Sequence, residues 1–213
     1  MLAMRIVDST TPGMPNYKLA SMSTVLRESM LDLIKVKHAH QTRNGDLHTP
    51  YWWHCLSAAD ILQAAIDGHT AATDSTMREN LYLATLGHDL YEDTDVDPAH
   101  IAEAYGTEVD RLIRAMTNEV SDEDRASYLE KLTNATDDVL LIKFADLIDN
   151  TECVATNRAH FAPSWINEFY IPVATETSEI LRSHTFGAEW APVAAALLGR
   201  LTTAMADLLP SAG

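Results

Sequence analysis

The chain has 213 residues, 46% of them apolar, and 31 acidic against 15 basic side chains, a formal charge of −16; that is length enough to bury one substantial core. So large an acidic excess, with its Lys and Arg scattered, disfavours unspecific nucleic-acid binding, which relies on clustered cations along the phosphates. Two cysteines, Cys55 and Cys153, without CxxC spacing argue against a disulfide framework and fit a reducing compartment, by default the cytoplasm. The first twenty residues lack the apolar core of a signal peptide, and Arg200 and Asp207 interrupt the most apolar later stretch, so no membrane segment is expected. Helical spacing of Val25, Met30, Leu31 and Ile34 predicts a first helix over about 24–41, and a second follows from His54 to Ala65. A third runs from about Ser75 into His88-Asp89. Asp97-Pro98 reads as a cap and first helical position of a short helix that Gly106 ends. Thr107 with Asp110, and Ser121 with Asp124, resemble capping boxes of two more helices. Another runs from Asp138 to about Thr156, and segments 164–184 and 188–208 complete the chain. Alternating strand patterns are scarce. The expectation is an all-α, compact, irregular helical bundle forming one domain over residues 1–213, with a core at about 25–155 and the C-terminal helices packed on it.

Two segments conflict with simple burial. In LATLGHDLYEDTDVDP, residues 83–98, an apolar run ends in His88, Asp89, Glu92 and Asp93. Asp89, Glu92 and Asp93 stand three and four positions apart, where like charges repel, and Asp89 continues a core-facing stripe, where an unpaired charge costs several kcal/mol or shifts its pKa. A divalent cation answers both problems. In DDVLLIKFADLIDNTECV, residues 137–154, the helix is apolar nearly all round, yet Lys143, Asp146 and Asn150 lie along one stripe. A buried Lys143–Asp146 pair, with Asn150 bonded to neighbouring backbone, is one way to satisfy them. His54, at the start of an apolar helix behind Arg43 in a polar loop, reads by itself more readily as a core histidine with a backbone partner than as a ligand.

Together the pieces resemble a known pattern. His, then His-Asp, then Asp on separate helices is the signature of the HD phosphohydrolase superfamily, and the flanks are closest to the hydrolase domain of the RelA/SpoT alarmone enzymes and their stand-alone small alarmone hydrolases. That family shows QxR and PYxxHP, here Gln41-Thr42-Arg43 and Pro50-Tyr51-Trp52-Trp53-His54-Cys55. It shows HDxxEDT, here His88 to Thr94, then an aromatic-Gly helix end, here Tyr105-Gly106. Later comes VKLAD with Asn four residues on, here Ile142 to Asp146 and Asn150.

The resemblance implies that His54, His88, Asp89 and Asp146 hold one divalent metal ion, manganese in most relatives. It implies that Glu92 and Asp93 form the catalytic acidic pair, and that Arg43, Lys143 and Asn150 contact substrate. A metal held by two imidazoles and two carboxylates suits Mn, Fe or Zn. The implied activity is removal of a 3′-pyrophosphate or 3′-phosphate from a (p)ppGpp- or (p)ppApp-like nucleotide. Alternatives are removal of the NADPH 2′-phosphate, hydrolysis of another nucleotide phosphate, and a non-catalytic nucleotide-sensing module, which would be expected to lose one of these residues. The expected partner is a small nucleotide, with no nucleic acid or membrane; self-association is left open.

The chain departs from the family where D-[RK]-x-x-N-x-R is usual. It reads Asp146-Leu147-Ile148-Asp149-Asn150-Thr151-Glu152, which removes two cations and weakens the case for a substrate as charged as guanosine tetraphosphate. His38, His40, His48, His69, His100, His160 and His184 read as surface or ordinary helix residues. Trp52 and Trp53 read as packing residues that set the angle of His54. Cys55 points away from the ligand beside it. Trp165, Phe169 and Tyr170, beside Ile166, read as closing the core, with a base pocket as the alternative.

Overall fold

The computed structural model describes residues 17–69, 74–118 and 125–208, with only the backbone given for 17–21, 46 and 47. Its helices are α1 (Tyr17–Lys37), α2 (Trp52–His69), α3 (Ser75–Leu86), α4 (Leu90–Asp93), α5 (Pro98–Tyr105), α6 (Thr107–Met116), α7 (Arg125–Thr133), α8 (Asp137–Thr156), α9 (Ile171–Ser183) and α10 (Ala191–Leu208). A π-helical segment, Trp165–Tyr170, leads into α9. The expected all-α bundle is what forms.

Helix α8 is the axis of the bundle. Val139 to Ile142, Phe144, Ala145, Leu147 and Ile148 are all buried, and α8 packs against α2 on one side and α10 on another, with α3, α6 and α9 also in contact. Each large apolar side chain taken fully from water contributes about 1.5–3 kcal/mol. A helix apolar on every side therefore belongs in the middle.

Several local expectations are corrected. Helix α1 ends at Lys37 rather than Gln41, because the chain turns there: the Gln41 amide bonds the His38 carbonyl at 3.0 Å. Arg43 is not in an irregular loop but in a short antiparallel hairpin of β1 (Thr42–Arg43) and β2 (Asp46–Pro50). Gly45, at φ 78°, makes its turn, a conformation that glycine adopts without steric cost. Helix α3 stops at Leu86, where the Gly87 N–H bonds back to Leu83 and Thr85, so His88-Asp89 lies in a turn before α4 rather than on a continuous helix. Thr107 is the first residue of α6 and Gly106 caps it without a side-chain bond; Asp110 accepts instead from the Tyr91 hydroxyl and from Arg114. The Asp97 cap holds, its carboxylate accepting the Ala99 N–H at 2.9 Å. The Ser121–Asp124 box lies outside the described residues. The single segment expected at 164–184 divides into the π-helical turn and α9.

Candidate active site

Four segments meet at one point: the hairpin, the first turn of α2, the α3–α4 turn, and the middle of α8. Helix α2 delivers His54, which is 2% exposed, and the α3–α4 turn delivers His88, also 2% exposed. Their Nε2 atoms lie 3.2 Å apart. Asp89 Oδ2 stands 3.2 Å from His88 Nε2 and 3.5 Å from His54 Nε2. From α8, Asp146 Oδ1 stands 3.2 Å from His54 Nε2 and 3.6 Å from His88 Nε2. The structure thus brings together all four residues expected as ligands, and His54, His88 and Asp89 offer their atoms within 4.8 Å of one another.

The hydrogen bonds behind these atoms say what the cluster can hold. His88 Nδ1 donates to the Thr85 carbonyl at 2.7 Å and His54 Nδ1 to Asp149 Oδ2 at 2.7 Å. Both partners only accept, so a neutral ring at either place carries its proton on Nδ1 and a lone pair on Nε2. Two such lone pairs facing two carboxylates make a nest of acceptors; the Tyr51 hydroxyl and the Asn150 amide each donate one neutral bond to its carboxylates, and a cation is what balances the charge that remains. Without a metal, protons fill that role. Burial opposes charge on both rings, but Asp146 and Asp149 raise His54, while Asp89 and Asp146 push His88 up to about 9. The donor set of two imidazoles and two carboxylates fits a divalent ion of the Mn, Fe or Zn type.

The polar stripe of α8 feeds the same point. Lys143 donates to Asp146 Oδ2 at 2.7 Å, and Asn150 Nδ2 to Asp146 Oδ1 at 2.7 Å. The buried ion pair is therefore present, but Asn150 bonds the carboxylate rather than backbone, and Asp146 still turns Oδ1 to the histidines. Burial alone would raise the Asp146 carboxyl; Lys143 and the two imidazoles hold it well below the usual range.

A cleft of about 250 Å³ opens over this cluster, lined by Tyr51, His88, Asp89, Lys143, Asp146 and Asn150, with Glu92 and Asp93 on its wall. Both acidic groups are exposed in side chain. Partial burial, and then the Asp89 charge, raise both carboxyls. Glu92 is oriented by the Asn118 N–H, which donates to it at 2.9 Å. Asp93 is anchored through its backbone carbonyl, which accepts from the Gln41 side chain at 2.8 Å.

A second, larger cleft of about 440 Å³ lies behind His54, lined by Arg43, Thr49, Trp53, Ser57, Asp149 and Glu152 among others. Arg43 is here rather than in the smaller cleft, 7% exposed and bonded to Asp149 Oδ2 at 2.6 Å. Trp53 does not pack inward: it is 50% exposed and stacks on Trp52, because neighbours on a helix point about 100° apart. Phe169 is likewise 47% exposed, so of its group only Ile166 and, in part, Tyr170 and Trp165 cover the core. None of the three aromatic residues lines either cleft. Cys55 is buried in the core, where burial pushes its thiol well up. His38 is buried rather than at the surface, its Nδ1 bonded to Gln41 at 2.6 Å.

Sequence reasoning passed over Asp149, Tyr51 and Asn118. Tyr51 donates to Asp89 Oδ2 at 2.8 Å, and the signal for it was its place in the PYxxH run. Asp149 stands one turn beyond Asp146 on the polar side of α8; nothing in the motif singles it out. Asn118 acts through its backbone, which no sequence pattern marks.

The fold is an all-α bundle of the HD type. It matches a solved metazoan ortholog of SpoT, described as hydrolysing ppGpp and acting in starvation responses, with a TM-score of 0.67 over 86% of this chain and 97% of that one, at 24% identity. A crystal structure from Listeria monocytogenes EGD-e matches with a TM-score of 0.55 over 72% of this chain and 99% of that one, at 22% identity. By sequence, the chain is similar to guanosine-3′,5′-bis(diphosphate) 3′-pyrophosphohydrolase MESH1 of Drosophila melanogaster, 30% identical over 124 residues. The aligned stretch is 57% of this chain and 65% of that protein, just under two thirds of its length. No protein-family model matches. Among the described residues, no helix is long and apolar enough to cross a membrane.

Proposed function

We propose that this chain is a metal-dependent nucleotide phosphohydrolase that removes the 3′-pyrophosphate from a (p)ppGpp- or (p)ppApp-like nucleotide. One observation carries the reading: the four acceptor atoms of His54, His88, Asp89 and Asp146 converge with both imidazole protons turned away, beneath a cleft walled by Glu92 and Asp93. The similarity to MESH1 supports the substrate class. These four residues would hold the ion, for which we propose manganese. Bound there, it would supply Lewis acidity toward a phosphoryl oxygen and a more acidic water.

The protein's own groups do the rest. Glu92 and Asp93 orient the water and accept its proton as its oxygen attacks the phosphorus carried on the 3′ oxygen. The bond from that phosphorus to the 3′ oxygen breaks, pyrophosphate leaves, and the 3′ oxygen takes up a proton as a hydroxyl. Their raised pKa values suit groups that must both accept and return a proton. Lys143 and Asn150 hold Asp146 in place and face the cleft where the phosphates would lie; Arg43, from the larger cleft, is the proposed contact for the base side. Cys55 and Cys153, both free thiols, suit action in a reducing cytoplasm.

The test is a product assay over a panel of nucleotides with manganese, alongside elemental analysis of the purified parent, His88→Ala and Asp146→Asn chains. The reading expects pyrophosphate and a 3′-hydroxyl product from the parent, and loss of metal and turnover together in both variants. Full metal occupancy in both variants would sink the four-ligand assignment, and a parent inactive on the whole panel would sink the reaction.

A further inference from the structure

We propose that Asp149 is a positioning residue of the metal site: its carboxylate fixes the proton of His54 on Nδ1 and so aims the Nε2 lone pair at the point shared with His88, Asp89 and Asp146. This rests on the metal-site reading above. His54 lies between the two clefts. Its Nε2 faces the acceptor nest, and its Nδ1 meets Asp149 Oδ2 at 2.7 Å. A carboxylate can only accept, so the ring must donate from Nδ1. The arrangement differs from that of His88, whose Nδ1 is satisfied by the neutral Thr85 carbonyl. A charged acceptor makes the ring a stronger donor of electrons at its far nitrogen, and such carboxylate–imidazole pairs orient and tune metal ligands in general.

Arg43 completes the arrangement. Its guanidinium bonds the same Oδ2 at 2.6 Å and reaches the Asp149 backbone carbonyl at 3.4 Å. Asp149 is 13% exposed in side chain and Arg43 8%, so the cation supplies the counter-charge that a desolvated carboxylate needs. With the Arg43 guanidinium and the His54 ring both donating to it, Oδ2 serves as an acceptor on both sides. The hairpin that carries Arg43 is in this way tied to the geometry of the metal site through two side chains.

Asp149→Ala separates this role from a merely structural one. It removes the acceptor of the ring proton, so that neither tautomer of His54 is favoured, while the backbone carbonyl at 149 remains as a partner for Arg43. Titration of Mn2+ into the metal-free parent and variant, in competition with a chromophoric chelator, should show binding weakened roughly 10–100-fold with helix content unchanged. Unchanged Mn2+ affinity, with or without a lower melting temperature, would overturn the proposal. Nitrogen NMR of the His54 ring in the metal-free parent at alkaline pH keeps it open to refutation even if the variant does not fold: a proton on Nδ1 is expected, and a proton on Nε2 refutes it. A parent that binds no Mn2+ while its His54 carries the Nδ1 proton would overturn this proposal with the metal reading on which it rests; a parent that binds Mn2+ tightly but hydrolyses no nucleotide would count against the reaction alone.

Discussion

At the scale of single residues, the site is a set of charges that only make sense together. Partial burial, and then the nearby charge of Asp89, raise the carboxyls of Glu92 and Asp93. A carboxyl whose pKa is raised by folding favours its neutral form there, so at neutral pH its charge subtracts stability, regained as the pH falls. Glu92→Gln and Asp93→Asn should accordingly raise the melting temperature of the metal-free chain near pH 7 while lowering turnover of the loaded enzyme by about two to four orders of magnitude. Calorimetry in chelator, set beside a rate assay, reads both effects; a double variant that turns over at the parent rate would remove the pair from the mechanism. His88 gives the opposite dependence. Its pKa is raised from 6.5 to about 9, so in the metal-free chain its stabilising charge is fully present below about pH 6.5 and is lost as the pH rises through about 9. The melting temperature of the metal-free protein should fall across that window, and added metal should flatten the fall, because the ion takes the place of the proton.

At the scale of elements, what could be read in the sequence was what repeats or caps. Helix α8 was legible because its apolar residues surround it, and its stripe of Lys143, Asp146 and Asn150 was legible because three polar groups in such a helix must be explained. The four residues proposed as ligands could be placed by motif. The hairpin of β1 and β2 was not legible: two and five residues give too little alternation to register, and its position depends on contacts remote in sequence. Nor was the break before His88, since Gly87 ends α3 by hydrogen bonds that a glycine inside an apolar run does not announce. The hairpin yields a sharp expectation. A Cβ on Gly45 would run into the Phe161 ring, at a φ of 78° that other residues rarely adopt. Gly45→Ala should destabilise the chain by about 1–3 kcal/mol and, by moving the strand that holds Arg43, weaken metal binding as well. A melting curve and a metal titration on the same sample would show whether the two losses travel together.

At the scale of the whole molecule, the charge of −16 sets the terms for any polyphosphate that enters. Among the described residues, the Lys and Arg side chains lining the two clefts are Arg43 and Lys143, and each is bonded to a carboxylate. Leu147 lies in the core rather than at a cleft wall, and Glu152 is engaged by Arg200 from α10 through two bonds of 2.7 and 2.8 Å. Arg200 thus neutralises Glu152 without leaving a spare charge over the larger cleft. Glu152→Arg would free Arg200 and add a cation, and it should lower the Michaelis constant for guanosine tetraphosphate by roughly one to two orders of magnitude, the value of one charge-assisted contact. Kinetics of parent and variant over a salt series would test it. A parent already saturated at low micromolar tetraphosphate, with no gain in the variant, would mean that binding does not depend on those lost cations.

The outward turn of Trp53 has an optical consequence. Of the four tryptophans, Trp190 is buried at 6% exposure, Trp52 packs against the core and Trp165 against its own aromatic neighbours, whereas Trp53 stands half in water on the wall of the larger cleft. Its indole is therefore an internal lamp whose colour depends on what lies beside it. A nucleotide base settling into that cleft should shift its emission to shorter wavelength or quench it, and Trp53→Phe should abolish the change while leaving metal binding intact. Stopped-flow fluorescence would then time the arrival of substrate before any bond is broken.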